Sequence, residues 1–385
     1  MSHPKWPMVP LGELVSKSDE RVMVESDNEY PNFGIYNRGR GLFEKPPISG
    51  STSSASSLFR AKANQFVYSR LFAFEGSYGL VPGEFDGHFV SNEFPLFDCN
   101  ESKLLPEFLG WYFRNPKTWS EVALHTTGMG SRRQRIKPEA FLKYSIQVPT
   151  IPEQLRIVNT INRLNSMVDH ACELSDQVSF QTTTLLRSAF NEITAGSPRV
   201  RLEEVAPLVR RPADISLEID YPLVSVRSFG RGTFHSGKLK GNEITWQKPF
   251  LVKENDILVS NIKAWEGAIA VAGAADDSRF GSHRYLTFVA NQELATPHFI
   301  CFYLLSGEGL LAVGEASPGS ADRNRTLRVS AMLDIEIPLP SIEKQEMFTR
   351  LILKSAKVEH YRSDTNRVRQ AMMPSILDRV FKGEL

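Results

Sequence analysis

The residues best suited to chemistry here are arginines beside glycines, and they occur in pairs of places. GMGSRRQRIKPEAF runs from Gly128 to Phe141. Gly128 and Gly130 permit a tight loop with exposed backbone N–H groups. Ser131 follows, then Arg132, Arg133, Gln134, Arg135 and Lys137. Guanidinium forks match guanine O6/N7 and phosphate, and a glutamine amide matches adenine N6/N7. SPGSADRNRTLR keeps the same chemical order, with Gly319, Ser320, Arg323, Asn324 and Arg325. NRGRG, with Arg38 and Arg40, stands beside RSFGRG, with Arg227 and Arg231. Glycines of this kind let a backbone approach another chain closely. Ordinary surface arginines account for this last pair equally well, and Arg199, Arg201, Arg210 and Arg211 form a further basic stretch.

The elements that must carry these residues are also written twice. KANQFVYSRLFAFEG, Lys62 to Gly76, returns as KENDILVSNIKAWEG, Lys253 to Gly267, 191 residues later. At the same offset SNEFPLF matches SHRYLTF, LLPEFLGWYF matches ATPHFICFYL, and VPTIPEQ matches LPSIEKQ. A period this long is a domain with an accessory element, not a solenoid repeat. Each repeated stretch reads as a strand running into a loop. After the shared Ser69 and Ser260 the polar residues differ, Arg70 in one copy and Asn261 with Lys263 in the other. These variable tips are candidate contacts, because phosphate contacts position while base contacts specify. Glu75 and Glu266 are expected to orient an arginine or cap a turn, and Phe74 and Trp265 to lie in the core.

Each copy opens with a strand-rich α+β part, punctuated by Gly, Pro, Ser and Asn. PEFLGWYFRNP predicts a helix begun at Pro106. Its twin predicts Thr296 as N-cap and Gly307 as terminator. Each copy then closes with a long helix. Between Pro152 and Ala195 almost nothing breaks one. Ile157, Leu164, Ala171, Val178 and Leu185 recur every seven residues, with Ile161, Val168, Ser175, Thr182 and Ala189 four beyond. The second copy offers Leu351, Val358, Tyr361, Val368 and Met372, with Pro374 expected to kink or end it. About 37 residues of helix span roughly 55 Å. Two such stripes can bury each other, which predicts an antiparallel coiled coil and pseudo-twofold internal symmetry. The alternative is two helices, each docked on its own domain.

Composition limits the function. Of 385 residues 41% are hydrophobic and 23% charged, as in ordinary globular chains. Net charge is +1, and residues 1–150 hold 17 Lys and Arg against 16 Asp and Glu. This argues against a strongly basic nucleic-acid binder, so any such role rests on local patches. No apolar run approaches the roughly 20 residues that span a bilayer, and no signal peptide is evident. Cys99, Cys172 and Cys301 are far apart, with no zinc-like spacing, and are expected as buried free thiols of a cytoplasmic protein.

A strand-rich domain, a proline-rich strand ending at a glutamine and a long helix, all occurring twice, resemble the specificity (S) subunit of type I restriction–modification systems. YSIQVPTIPEQLRIV (Tyr144 to Val158), LDIEIPLPSIEKQEMF (Leu333 to Phe348) and the closing SILDRVFKGEL (Ser375 to Leu385) carry the resemblance, which covers nearly the whole chain. VPTIPEQ lacks one proline of the fuller pattern, and Lys344 stands where Glu is usual. The resemblance implies two target recognition domains, 1–151 and 197–341, each reading half of a split, asymmetric double-stranded DNA target. It implies two spacer helices, 152–196 and 342–385, that dock two methyltransferase (M) subunits, which restriction (R) subunits join. The chain itself would hold no cofactor; S-adenosylmethionine would sit on the M subunits.

Enzyme readings find little support. FEGSYG, Phe74 to Gly79, has the glycines of a methyl-donor loop, but its twin WEGAIA lacks the last one, and no Asn-Pro-Pro-aromatic or Asp-Pro-Pro-aromatic sequence accompanies it. No Walker-type phosphate loop is present. The alternative to DNA reading is a duplicated coiled-coil scaffold for other proteins, favoured by the near-neutral charge.

Overall fold

The computed structural model describes residues 6–123, 135–244, 248–319 and 325–384, with the backbone only at 363, 364 and 366–370. The chain is a mixed helix and strand protein that divides into two compact units. Unit 1 is Met1–Ser175 with Arg362–Leu385, and unit 2 is Asp176–Tyr361.

In unit 1 a five-stranded sheet has the order Arg21–Met23, Ser57–Arg60, Phe89–Val90, Glu29–Ile35, Leu42–Ser49. A four-stranded sheet runs Val15–Lys17, Leu96–Cys99, Phe66–Tyr68, Tyr78–Leu80. Phe66, Tyr68, Phe97, Phe113 and Phe141 form its aromatic core. Unit 2 has a four-stranded sheet, Thr233–Lys240, Asp220–Val226, Phe280–Gly281, Phe250–Leu251, and a three-stranded one, Ile269–Val271, Ile257–Ser260, Tyr285–Phe288. In each unit a further strand pair, Met8–Pro10 with Ser145–Gln147 and Arg199–Arg201 with Glu336–Pro338, leads towards the long helix.

The polar letters of the doubled stretch now have reasons. Asn64 and Asn255 sit in the left-handed region, at φ 67° and 69°. Their amides donate to Val81 O and Ala272 O, both at 2.8 Å. Asparagine tolerates this conformation better than most residues. Ser69 N donates to Ser77 O and Ser260 N to Ala268 O, both at 3.0 Å. A 3-10 turn follows, Ala73–Glu75 or Ala264–Glu266, closed by left-handed Gly76 (φ 81°) or Gly267 (φ 74°). A Cβ on Gly76 would lie 2.6 Å from the Trp119 ring, whereas one on Gly267 would meet the Leu305 side chain at 3.2 Å. Gly76→Ala is therefore expected to cost about 1–3 kcal/mol from backbone strain, with the ring clash added. Gly267→Ala should cost less, because a leucine tip can move. Parallel urea melts of the two variants check the order.

Ile151–Thr194 and Ile342–Phe381 are the long helices, of 44 and 40 residues. At 1.5 Å per residue they span about 66 and 60 Å. Their starts are fixed by the glutamines of the proline-rich turns. Gln154 Oε1 accepts from Leu105 N at 2.8 Å, and Gln154 Nε2 donates to Lys103 O and Pro149 O, both at 2.9 Å. Gln345 repeats this with Thr296 N at 3.0 Å, Leu294 O at 3.0 Å and Pro340 O at 2.9 Å. Both glutamines are fully buried, so all three partners depend on them.

Several sequence expectations need correction. The inward stripe of the first long helix keeps Ile161, Val168, Ser175, Thr182 and Ala189 but alternates them with Cys172, Ser179 and Leu186, while Ala171, Val178 and Leu185 are exposed. Small polar residues occupy that face, so hydrophobicity alone shifts the row by one. In the second helix Phe348, Ile352 and Ser355 face inward, whereas Val358, Tyr361 and Met372 are exposed. This helix continues through Pro374 to Phe381. Thr296 does cap Pro297–Leu304, its Oγ1 accepting from Phe299 N at 3.4 Å. Gly307 opens the next helix instead of ending the last, because Ser306 caps it. Cys301 is buried, but Cys99 and Cys172 are only half-buried, and burial pushes the Cys99 and Cys301 thiols up to about 12. Among the described residues no single helix is long and apolar enough to cross a membrane. The bent pair Pro297–Leu304 and Gly307–Glu315 comes nearest in composition, and Phe299, Ile300, Tyr303, Leu304 and Val313 of it pack in the core of unit 2.

Candidate nucleic-acid interface

The glycine-flanked arginines are held by the doubled stretch. In unit 1 the turn closes with Tyr36 N to Gly41 O at 2.9 Å, and in unit 2 with Arg227 N to Gly232 O at 2.9 Å. The Arg38 and Gly39 amides donate to Glu75 O and Gly76 O, both at 2.8 Å. The Phe229 and Gly230 amides donate to Glu266 O and Gly267 O at the same 2.8 Å. These four donors all lie on residues of positive φ, between 62° and 64°. The glutamate side chains complete the dock. Glu75 accepts from Asn37 Nδ2, and Glu266 accepts from Ser228 Oγ at 2.9 Å and from Lys263 Nζ at 2.6 Å. The Lys263 hydrogen bond holds the Glu266 carboxyl below its ordinary range. The glutamates thus hold turns through Asn37 and Ser228, and among the described residues neither carboxylate pairs with an arginine.

Arg38, Arg40, Arg227 and Arg231 are all exposed on these turns. Arg40 lies over Tyr36 at 4.8 Å, with its Nε on Asn37 O at 3.1 Å, and Arg231 lies over Phe229 at 5.6 Å. Arg227 lies over Phe234 at 4.6 Å and donates from Nη1 to Thr233 O at 2.6 Å. Stacking on a ring fixes the plane of a guanidinium while its edge stays free for an anion or a base.

A second locus forms beside the doubled strand. Ile136 N donates to Arg70 O at 3.0 Å, and Leu327 N donates to Asn261 O at 2.7 Å. The ends of the two basic runs thereby lie against the variable tips. Arg70 and Lys137 line one cleft of about 370 Å³ with Asn92, Phe94 and Lys17. Arg70 and Arg135 approach Glu93 at 3.8 and 3.3 Å. Gly130, Ser131, Arg132, Arg133, Gln134, Ser320, Arg323 and Asn324 lie outside the described residues.

Other arginines are engaged internally. Arg325 donates to Gly314 O at 3.1 Å and Ser317 O at 3.2 Å and lies over Trp265 at 4.8 Å. It therefore caps the helix Gly307–Glu315, with its Nε and one Nη engaged there. Lys263 shares the same ring at 5.0 Å. Trp265, expected in the core, is half-buried under these two cations, and Phe74 is half-buried as well. The stretch from Arg199 to Arg211 is structural. Arg199 pairs with Glu308 at 2.5 Å, Arg201 with Glu204 and Asp334, and Arg210 with the carbonyls of His283 and Tyr285. Arg211 grips Asp256 with both nitrogens, at 2.6 and 3.1 Å. Apart from Glu204, three residues from Arg201, these partners lie far along the chain, which is why sequence reading missed them. It also passed over Glu93 and Arg284, which sit inside segments matched as scaffold. No group of three or more His, Cys, Asp or Glu among the described residues could hold a metal ion.

No family profile and no curated relative matches the sequence. Solved structures do match, over the full length. A chain from a study of complex assembly and conformational transition of the type I R-M system is covered completely, as is this one, with TM-score 0.71 and 18% identity. The HsdS subunit from Thermoanaerobacter tengcongensis matches with TM-score 0.56 and 19% identity, over 99% of this chain and 98% of that one. The chain has the HsdS fold. HsdS is the specificity subunit of type I restriction–modification systems. In this HsdS-type fold the doubled stretch is the socket of each arginine turn, and the buried glutamines set where the long helices begin.

Proposed function

We propose that this chain is the non-catalytic DNA sequence-specificity subunit of a type I restriction–modification complex, acting in the cytoplasm. The observation that carries the reading is the full-length likeness to HsdS, joined to two arginine turns docked by the same hydrogen bonds in both units. On this reading the frame is a duplication with pseudo-twofold symmetry, and the long helices pack as an antiparallel coiled coil. Each recognition domain reads half of a bipartite, asymmetric duplex target. Two readers on a spacer suit half-sites about one helical turn, roughly 34 Å, apart. The helices recruit two M subunits, and R subunits complete the complex. S-adenosylmethionine belongs to the M subunits, which flip the target adenine out of the duplex.

The test is methylation mapping of a genome that carries this gene with its neighbouring methyltransferase gene, against a deletion of this gene alone. A split, asymmetric motif that disappears with the deletion is the expected result. Unchanged methylation would reject the reading. The internally engaged arginines and the net charge of +1 favour the other reading, a protein-binding scaffold without DNA recognition. Duplex binding that weakens steeply with salt excludes it.

Arg40 and Arg231, exposed and stacked on a neighbouring ring, are read as phosphate contacts. Arg40→Ala and Arg231→Ala should each weaken binding to all sequences alike and lower the salt slope by about 1. Titrations at three salt concentrations measure both, and loss of discrimination at a single base pair would reassign the residue to base reading.

A further inference from the structure

Glu93 and Arg284 occupy the same place in their units but carry opposite charge. Their main chains are held alike. Arg70 N donates to Glu93 O at 2.9 Å, and Asn261 N donates to Arg284 O at 2.8 Å. Both stand in matched turns, with Phe94 N on Ser91 O at 3.0 Å and Tyr285 N on Ser282 O at 2.9 Å. A cleft opens beside each turn. One is the cleft of about 370 Å³ at Arg70, Asn92 and Phe94, and the other, of about 380 Å³, is lined by Ser260, Ser282, Arg284 and Tyr285. The residue that receives each turn also holds a buried polar atom with no hydrogen-bond partner among the described residues, Arg70 Nε in one unit and Asn261 Oδ1 in the other. Arg284 is exposed, and among the described residues its guanidinium has no hydrogen-bond or ion-pair partner. Glu93 is bracketed by Arg70 and Arg135 at 3.8 and 3.3 Å.

We propose that these two turns are paired base readers, and that Arg284 reads a guanine in one half-site. The proposal rests on the DNA-reading function above. An arginine fork donates to guanine O6 and N7 in the major groove. Glu93 offers acceptors at the corresponding place, so it disfavours guanine, whose major-groove edge carries acceptors only. One backbone frame thus gives two readings by a change of charge at one position. This makes the target asymmetric at that base pair.

The experiment selects bound duplexes from a random-sequence pool with the full-length wild-type chain, Arg284→Lys and Arg284→Glu. Thermal melts run alongside. Arg284→Lys keeps the charge and loses the fork. Lysine can still donate to guanine, so this variant should lower discrimination at one guanine position by up to about tenfold while the other half-site stays unchanged. Arg284→Glu should exclude guanine there. An unaltered motif with both variants overturns the proposal. So does a uniform weakening across all sequences, which marks a phosphate contact. If Arg284→Glu fails to fold, Arg284→Lys alone decides. If the wild type itself selects no motif, the function reading has failed, and this proposal falls with it; a wild-type motif left intact by the variants fails the proposal alone.

Discussion

Gln154→Leu should destabilise unit 1 by about 3 kcal/mol or more. The leucine fills the space but leaves Leu105 N and the carbonyls of Lys103 and Pro149 without the partner they share. A fully buried group orphaned in this way costs about 1–3 kcal/mol; Pro149 O is buried, and Leu105 N and Lys103 O, which are part-buried, add the rest. Gln154→Glu is not a remedy, because it keeps an acceptor for Leu105 N and sets a carboxylate against two carbonyl oxygens. Gln345→Leu should do the same to unit 2. Hydrogen exchange separates the two, since amides of the altered unit lose protection while those of the other keep it. Equal protection in wild type and variant would show that the glutamine is replaceable and that the helix start is fixed by packing alone.

Arg211→Met has the other large expected effect. Asp256 is almost fully buried and takes both guanidinium nitrogens of Arg211, with Lys253 N as a further donor at 2.9 Å. Removing the cation strands a buried carboxylate, at a cost of about 3–5 kcal/mol. Unit 1 shows what would repair it. Gln65 stands at the equivalent place, accepting from Lys62 N at 2.9 Å and donating to Asp98 at 2.9 Å. Arg211→Met combined with Asp256→Asn should therefore recover most of the loss, because a neutral amide needs no counter-charge. A double variant as unstable as Arg211→Met would mean that Arg211 acts by packing and not by charge.

What could be read from the sequence depended on the range of the interaction. The matched letters Asn64 and Asn255, Gly76 and Gly267, and Gln154 and Gln345 are backbone devices, and backbone devices demand particular residue types. Their shared offset pointed to positions that turn out to make the same hydrogen bonds. The helix seams were harder. Cys172, Ser179 and Ser355 face inward, so the row of most apolar residues was not the buried row. Charge was hardest. Whether an arginine is available depends on acids and carbonyls elsewhere in the fold. Nothing in RSFGRG or RNRTLR shows that Arg231 is exposed while Arg325 caps a helix. Glu93 and Arg284 were hidden for the opposite reason, because strong matches on either side made them look like scaffold.

The division into units has a consequence for how the chain is made. The core of unit 1 includes Leu377, Val380 and Phe381, with Phe381 edge-on to Phe108 at 5.4 Å and Asp378 paired with Lys117 at 2.6 Å. Residues 362–384 leave the ribosome after the whole of unit 2. Unit 2, an unbroken stretch from Asp176 to Tyr361, can close as soon as it is translated. Unit 1, begun first, must wait with an open aromatic core until some 200 further residues have been added. The earlier half of the chain is thus the later to mature, and it is the half with more need of a chaperone during synthesis.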